Sequence, residues 1–207
     1  LSNDYVKSLQ SYKMAYKIRE ELEDNNGMAL LLNNIGNIYF YQNKLKKALK
    51  HYHQSLQVVR KTNNKIVIAN SLNNEANIYF TMGDYDTALN IYTESLDIRK
   101  NIFDKHGIAS SFINIGMIYS ILGNYNKALI CFTQSKQIRT KLNEKNGLVS
   151  ALINIGKVNL RIFNYEAALK NLTEALKKQE DLDNNISRFS EIKLLLLLAN
   201  KNMDKDI

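Results

Sequence analysis

Asparagine recurs in this chain at a fixed interval: Asn34, Asn74, Asn114 and Asn154 stand 40 residues apart. A carboxamide holds a donor and an acceptor side by side, the complement of one peptide unit in an extended chain. Four in register are suited to holding a polypeptide backbone rather than to making or breaking bonds. Lys157 and Arg161 add a place for an acidic side chain or a terminal carboxylate. Groups that carry catalysis are sparse. His51 and His53 lie two apart on one helix and face different sides, so they form no metal pair. His106 stands alone in an expected loop. Cys131, the single cysteine, has no histidine near it in the sequence and sits among apolar residues, which suits a buried, inert thiol. No phosphate-binding glycine loop and no acid/base pair of carboxylates is recognisable. The expectation is a chain that binds but does not catalyse, with no cofactor and no metal.

The elements that must position these groups follow from the same 40-residue period. The block Asn34-Ile35-Gly36-Asn37-Ile38-Tyr39 returns as Asn74-Glu75-Ala76-Asn77-Ile78-Tyr79, as Asn114-Ile115-Gly116-Met117-Ile118-Tyr119 and as Asn154-Ile155-Gly156-Lys157-Val158-Asn159. A second block keeps phase with it: Ala48-Leu49 with Tyr52, Ala88-Leu89 with Tyr92, Ala128-Leu129 with Phe132, and Ala168-Leu169 with Leu172. Apolar residues within each block step by three and four, the spacing of a helix face. Each repeat therefore reads as a helix A followed by a helix B. Gly83 and Gly123 suit the left-handed position that ends helix A, and Asn43 tolerates it. Phe163 does not, so the fourth turn is expected to differ. Asp84, Asn124 and Asn164 suit the N-cap of helix B. Gly27, Gly107 and Gly147 are expected in the loops between repeats.

The predicted architecture is all-α: a right-handed α-solenoid of stacked antiparallel helix pairs forming a single domain over 1–207. Residues 1–22 read as a lone helix B through Ala15, Tyr16, Ile18 and Arg19. Full repeats then occupy 23–62, 63–102, 103–142 and 143–182, and 183–207 form a partial or capping repeat whose residues 185–201 read as a fifth helix A. Small residues are needed where A meets B: Gly36, Ala76, Gly116 and Gly156 on one side, Ala48, Ala88, Ala128 and Ala168 on the other. One pair cannot bury its apolar face alone, but a stack can.

Composition agrees. The chain has 207 residues with 45% hydrophobic and 23% charged, no proline and 8 glycines, which disfavours a turn-rich β architecture. The net charge of +8 comes from scattered lysines. The densest group, Lys44, Lys46, Lys47 and Lys50, opens one amphipathic helix and reads as a solvated outer face, so nucleic acid is not an expected partner. The longest apolar run, Leu194 to Ala199, is far too short to span a membrane. No intrachain disulfide is possible, so the compartment stays open: cytoplasm, or a periplasm reached through a removed signal. Starting at Leu1 and ending mid-repeat, the sequence reads as part of a longer protein.

The small-residue, aromatic and alanine positions on Gly36, Tyr39, Ala48 and Tyr52, with their equivalents, resemble the tetratricopeptide repeat family over nearly the whole chain. The common family period is 34; the longer form here resembles repeats of bacterial signalling proteins and of animal polarity and motor-adaptor proteins. A composition rich in Asn, Lys and Ile leans bacterial. The proline that often closes the family's repeat is missing, and Glu75 replaces the isoleucine of Ile35, Ile115 and Ile155. A carboxylate there is costly unless paired, so a lysine or a backbone donor is its expected partner, or else a basic group of a ligand.

The resemblance implies that the A helices line a concave groove. One stripe of each would face it: Leu30, Asn34, Asn37 and Tyr41; Asn70, Asn74, Asn77 and Thr81; Ser110, Asn114, Met117 and Ile121; Ser150, Asn154, Lys157 and Arg161. The asparagine column resembles the ladder by which some members hold a peptide backbone; ordering of the groove between repeats is its structural alternative. Phe40, Phe80, Met117 and Ile121 are candidate side-chain pockets or packing residues. The family's carboxylate clamp needs Lys and Arg where this chain has Asn33, Asn37, Ser110 and Asn114, so a chaperone-tail receptor is not expected. The expected function is a scaffold for a protein or an extended peptide. The rival is a ligand-sensing segment of a bacterial sensor kinase or transcription regulator. The apolar run in the last helix invites dimerisation, or cover by a further repeat.

Overall fold

The computed structural model describes residues 2–180, 182 and 186–203, and its regular structure is entirely helical among them. The expected A and B helices alternate. The chain divides into two compact units, Leu1–Asp104 and Lys105–Ile207. The first holds α1 (Ser2–Glu21), α2 (Asn25–Tyr41), α3 (Leu45–Val59), α4 (Lys65–Met82) and α5 (Tyr85–Asn101). The second holds α6 (Lys105–Ile121), α7 (Tyr125–Lys141), α8 (Lys145–Arg161), α9 (Tyr165–Glu180) and α10 (Ile186–Met203). Each unit is an α-solenoid of antiparallel pairs. In the first, α2 packs on α3 and α4 on α5, with α1 against α2; in the second, α6 packs on α7 and α8 on α9, with α10 against α9. Of the segments read from the sequence, residues 1, 181, 183–185 and 204–207 lie outside the described residues. No described helix is long and apolar enough to cross a membrane.

The pairs close where the sequence is smallest. A Cβ placed on Gly36 would lie 2.5 Å from the Tyr52 ring, and one on Gly116 would lie 2.6 Å from the Phe132 ring. Ala48, Ala88, Ala128 and Ala168 are fully buried. In the first unit Ala29, Leu56, Val59, Val67, Ile68 and Leu72 join three successive helices into one core. In the second, Leu148, Val149, Leu152, Ala175 and Ile192 do so. Each such aliphatic side chain contributes about 1.5–3 kcal/mol by leaving water. α10 docks through Ile192 and Ala199, while Leu194 and Leu197 point outward.

The turns are more uniform than the sequence suggests. Asn43, Gly83, Gly123 and Phe163 all take positive φ, at 56°, 82°, 75° and 60°. In each case that residue's N–H donates to the carbonyl three residues back and the next N–H to the carbonyl five back, as in Phe163 to Leu160 and Asn164 to Asn159. Phe163 thus does not alter the fourth turn, contrary to expectation. Two capping bonds outweigh a left-handed cost of about 1–2 kcal/mol, and the ring lies outside, edge-on to Tyr165. Asp84 and Asn164 accept cap hydrogen bonds from Thr87 and Ala167, whereas Asn124 makes no side-chain cap bond.

Gly27, Gly107 and Gly147 are not loop residues. They lie in the first turns of α2, α6 and α8. For two of them the reason is an arginine. At Gly147 a Cβ would overlap the Arg139 guanidinium, and at Gly27 it would crowd Arg19 and Asp24. Arg139 is buried and fans three donors: Nε to Ser135 at 3.2 Å, Nη1 to Glu144 at 2.7 Å and Nη2 to Ser110 at 3.2 Å. Arg99 makes the same fan to Ser95, Asp104 and Asn70. The first repeat replaces the whole block together: Val59, Asn64 and Val67 stand where Arg139, Glu144 and Gly147 stand two repeats later, and both valines are core.

Breaking the block piecemeal should therefore be worse than replacing it. Arg139→Ala is expected to lower stability by about 2 kcal/mol, because Glu144 Oε1 and two serines lose the donors that Arg139 supplies. The triple change Arg139→Val, Glu144→Asn and Gly147→Val should return to within about 1 kcal/mol of the parent. Urea unfolding measures both; a triple variant no more stable than the single one would mean that the two solutions are not interchangeable.

Candidate functional site

The A helices that carry the predicted stripe are neighbours within each unit, α2 and α4 in the first and α6 and α8 in the second. The structure sorts the amides on these helices into two groups. The first group is engaged internally. Asn37 accepts a hydrogen bond from the Tyr52 hydroxyl at 2.7 Å, and Asn77 accepts one from Tyr92. Both tyrosines are buried, and burial pushes their hydroxyls well above the ordinary range. A buried hydroxyl without an acceptor costs about 1–3 kcal/mol, so these two asparagines anchor helix A to helix B. Where the hydroxyl is absent, the asparagine is absent too: Met117 faces the Phe132 cluster, and Lys157 occurs in the repeat that carries Leu172. Asn70 accepts from Arg99 at 2.7 Å, and buried Asn33 donates to Ser71 at 2.8 Å.

The second group is the column. Asn34 is exposed; Asn74, Asn114 and Asn154 are half-buried. Among the described residues, no hydrogen bond within the protein engages the side chains of Asn34, Asn74 or Asn154. On α2 and α4 the unengaged carboxamides Asn34 and Asn74 stand at the same repeat position on adjacent helices. The candidate pocket residues divide as well. Ile121 is exposed, Phe40 packs against the Ala48–Tyr52–Ile78 cluster, and Phe80 lies edge-on to Tyr85.

At the far end Lys157 forms an ion pair with Glu191 of α10 at 2.6 Å, while Arg161 is exposed. An acidic ligand group would meet Arg161 directly and Lys157 only in competition with Glu191. Glu75 is buried and accepts from His53 Nε2 at 2.8 Å; its partner is this histidine and not the expected lysine or backbone donor. The chain approaches it from α3, whose turns bring His53 over α4. His106 is not alone in a loop. It lies in the first turn of α6, 3.3 Å from Glu144. His51 stacks on Tyr39, and burial, then Lys50 and Lys13, hold its imidazole below the ordinary range. Cys131 is buried and its thiol is pushed up by that burial, which makes it a poor nucleophile at neutral pH. Among the described residues no three His, Cys, Asp or Glu side chains gather as metal ligands.

Comparison with known proteins follows the fold. The sequence pattern of the tetratricopeptide repeat matches residues 1–61, 27–101 and 107–181. No curated protein sequence matches the chain. Among solved structures, BtubC (BKLC) from P. vanneervenii is similar with a TM-score of 0.86 and 14% identity, covering 97% of this chain and 84% of that one. A Rap protein complexed with competence and sporulation factor has a TM-score of 0.80 and 16% identity over 98% of this chain. Aspartyl phosphate phosphatase F from Bacillus subtilis has 0.81 and 12%, again over 98%. This chain spans 59% and 57% of the length of these last two. At such identities the likeness is one of fold.

The pairing of Asn37 with Tyr52 is open to a double-mutant cycle. Tyr52→Phe and Asn37→Met each remove one partner and should each cost about 1 kcal/mol or more. The double variant copies the third repeat and should be more stable than the sum of the singles by about 1 kcal/mol. Chemical denaturation of the four proteins gives the coupling; strict additivity would show that the hydroxyl and the amide act independently.

Proposed function

The chain belongs to the tetratricopeptide repeat family, and from that premise we propose that it is a non-enzymatic scaffold that holds an extended peptide or protein segment along its A helices. The observation that carries this reading is the division of the amides. Asn33, Asn37, Asn70 and Asn77 are engaged within the protein, but the column residues Asn34, Asn74 and Asn154 are not. Amides kept at one repeat position without an internal partner are suited to an external backbone. Asn114 occupies the same position, and Met117, Lys157 and Arg161 flank it and Asn154 as side-chain contacts. A protein of the same fold was solved with a bound factor, which adds weight to a binding role. This reading leaves nucleic acid out as a partner; salt-sensitive retention on DNA or RNA through the exposed Lys46, Lys47 and Lys50 of α3 would count against it.

A second reading makes the same repeats the sensing segment of a larger bacterial signalling protein. It draws on the Rap protein and phosphatase F, both longer than this chain. The two readings share the binding face and differ in what is attached to it. A kinase, cyclase or DNA-binding segment elsewhere in the full reading frame would select the second. The exposed leucines of α10 also make self-association through that helix part of the proposal, to be read from sedimentation.

Each backbone hydrogen bond is worth about 1 kcal/mol net, so the three unengaged amides give about 3 kcal/mol, or somewhat over a hundredfold in Kd. Peptides selected on the wild-type protein from a random display library should lose affinity by that order in a variant carrying Asn34→Ala, Asn74→Ala, Asn114→Ala and Asn154→Ala. The far-ultraviolet circular dichroism of the two proteins should coincide. Peptides that bind both proteins equally would place recognition away from the column.

A further inference from the structure

Three clefts open between successive helices at one repeat position. Their floors are Ile35 on α2, Glu75 on α4 and Ile155 on α8. Isoleucine fills this floor without difficulty, so the fold does not require an acid there. Glu75 nonetheless sits 8% exposed, with a single imidazole as partner. A buried carboxylate is destabilising unless it is fully compensated. His53, whose side chain is 47% exposed, engages only Oε1. Beside this pair lies a cleft of about 290 Å³, lined by His53, Leu56, Gln57 and Arg60 of α3 and by Glu75 of α4. Arg60 lines the cleft, yet among the described residues it forms no ion pair with Glu75. Glu75 lies one residue beyond Asn74, hence about 100° around the helix and on a different face from the amide column.

We propose that this cleft is a second binding site, separate from the amide column, that receives the cationic end of an arginine or lysine side chain from a partner protein. Glu75 supplies the counter-charge at the bottom, Leu56 lies along the aliphatic stem, and His53 holds the carboxylate in place while the site is empty. Arg60 at the mouth disfavours a second cation and so limits the site to one. A local rule broken at a position where its neighbours obey it is the pattern expected of function rather than packing. The same logic makes Glu75→Ile at least as stable as the parent.

The probes are N-acetyl-arginine methylamide, its lysine counterpart and the neutral isostere N-acetyl-citrulline methylamide, titrated into the 15N-labelled protein. With a cation, saturable amide shifts should centre on residues 53, 56, 57, 60 and 75. Citrulline should bind at least about tenfold more weakly, since it lacks the charge. Glu75→Gln and Glu75→Ile should both abolish the response while retaining the helical spectrum, and Arg60→Ala should strengthen it. The tighter of the two cations names the side chain that the cleft takes. Equal binding of citrulline, survival of the response in Glu75→Gln, or shifts that never localise to these residues would each overturn the proposal.

Discussion

Helix A and helix B of a repeat approach each other until the ring of Tyr52 occupies the space that a side chain at position 36 would need. That closeness governs what else the repeat contains. With the helices so near, the ring lies inside, and its hydroxyl ends against helix A, where a residue of that helix accepts from it. Asn37 is that residue, one step beyond the glycine. In the third repeat Gly116 admits Phe132 in the same way, no hydroxyl needs an acceptor, and Met117 fills the place with apolar contact. Ala76 shows that a single methyl is accommodated opposite Tyr92 in the second. The small residue, the ring and the residue after the small one therefore change as a set.

The junction from helix B to the next helix A follows the same logic with charge in place of shape. A guanidinium has five donors and is expensive to bury unless most find acceptors. Arg139 meets that demand with two serines and a carboxylate, and it lies across the start of α8 only because position 147 has no side chain. The first repeat abandons the charge and fills the volume with Val59 and Val67 instead. Two chemically opposite solutions thus serve one geometry, and a hybrid of them would leave either an unpaired charge or a void.

These sets explain which parts of the molecule were legible in its sequence. Helix identity and order were legible because the apolar positions repeat at a constant 40-residue interval and each carries its own helical spacing. The placing of Gly27, Gly107 and Gly147 in loops failed because glycine was read through its backbone freedom. At Gly27 and Gly147 the governing fact is the room needed by Arg19 and Arg139, residues eight positions earlier. The signal was present: arginine, an acid five residues later and glycine three beyond that recur together. Phe163 was misread for the complementary reason. Propensity weighs the residue alone, whereas two backbone hydrogen bonds fix the turn whatever the side chain. His53 as the partner of Glu75 was beyond reach, since it depends on how α3 lies over α4.

The proposed binding face shows the same division more sharply. From the sequence, Asn34, Asn37, Asn70, Asn74 and Asn77 are five equivalent amides on polar stripes. Their roles separate only when the opposing helix is known, because a carboxamide that faces a buried tyrosine or a buried arginine is already committed. Those that face neither keep their full hydrogen-bonding capacity, which in water is satisfied at no gain and against a peptide is satisfied with a modest net gain of about 1 kcal/mol each. On the proposed reading such a face would be a weak but general grip. On that reading affinity and choice of partner would come from features that differ between repeats, such as the floor of the B-helix cleft, where Glu75 replaces isoleucine. A repeat protein built this way keeps its fold in the positions that change as sets, which leaves the positions that change singly free to carry the proposed specificity.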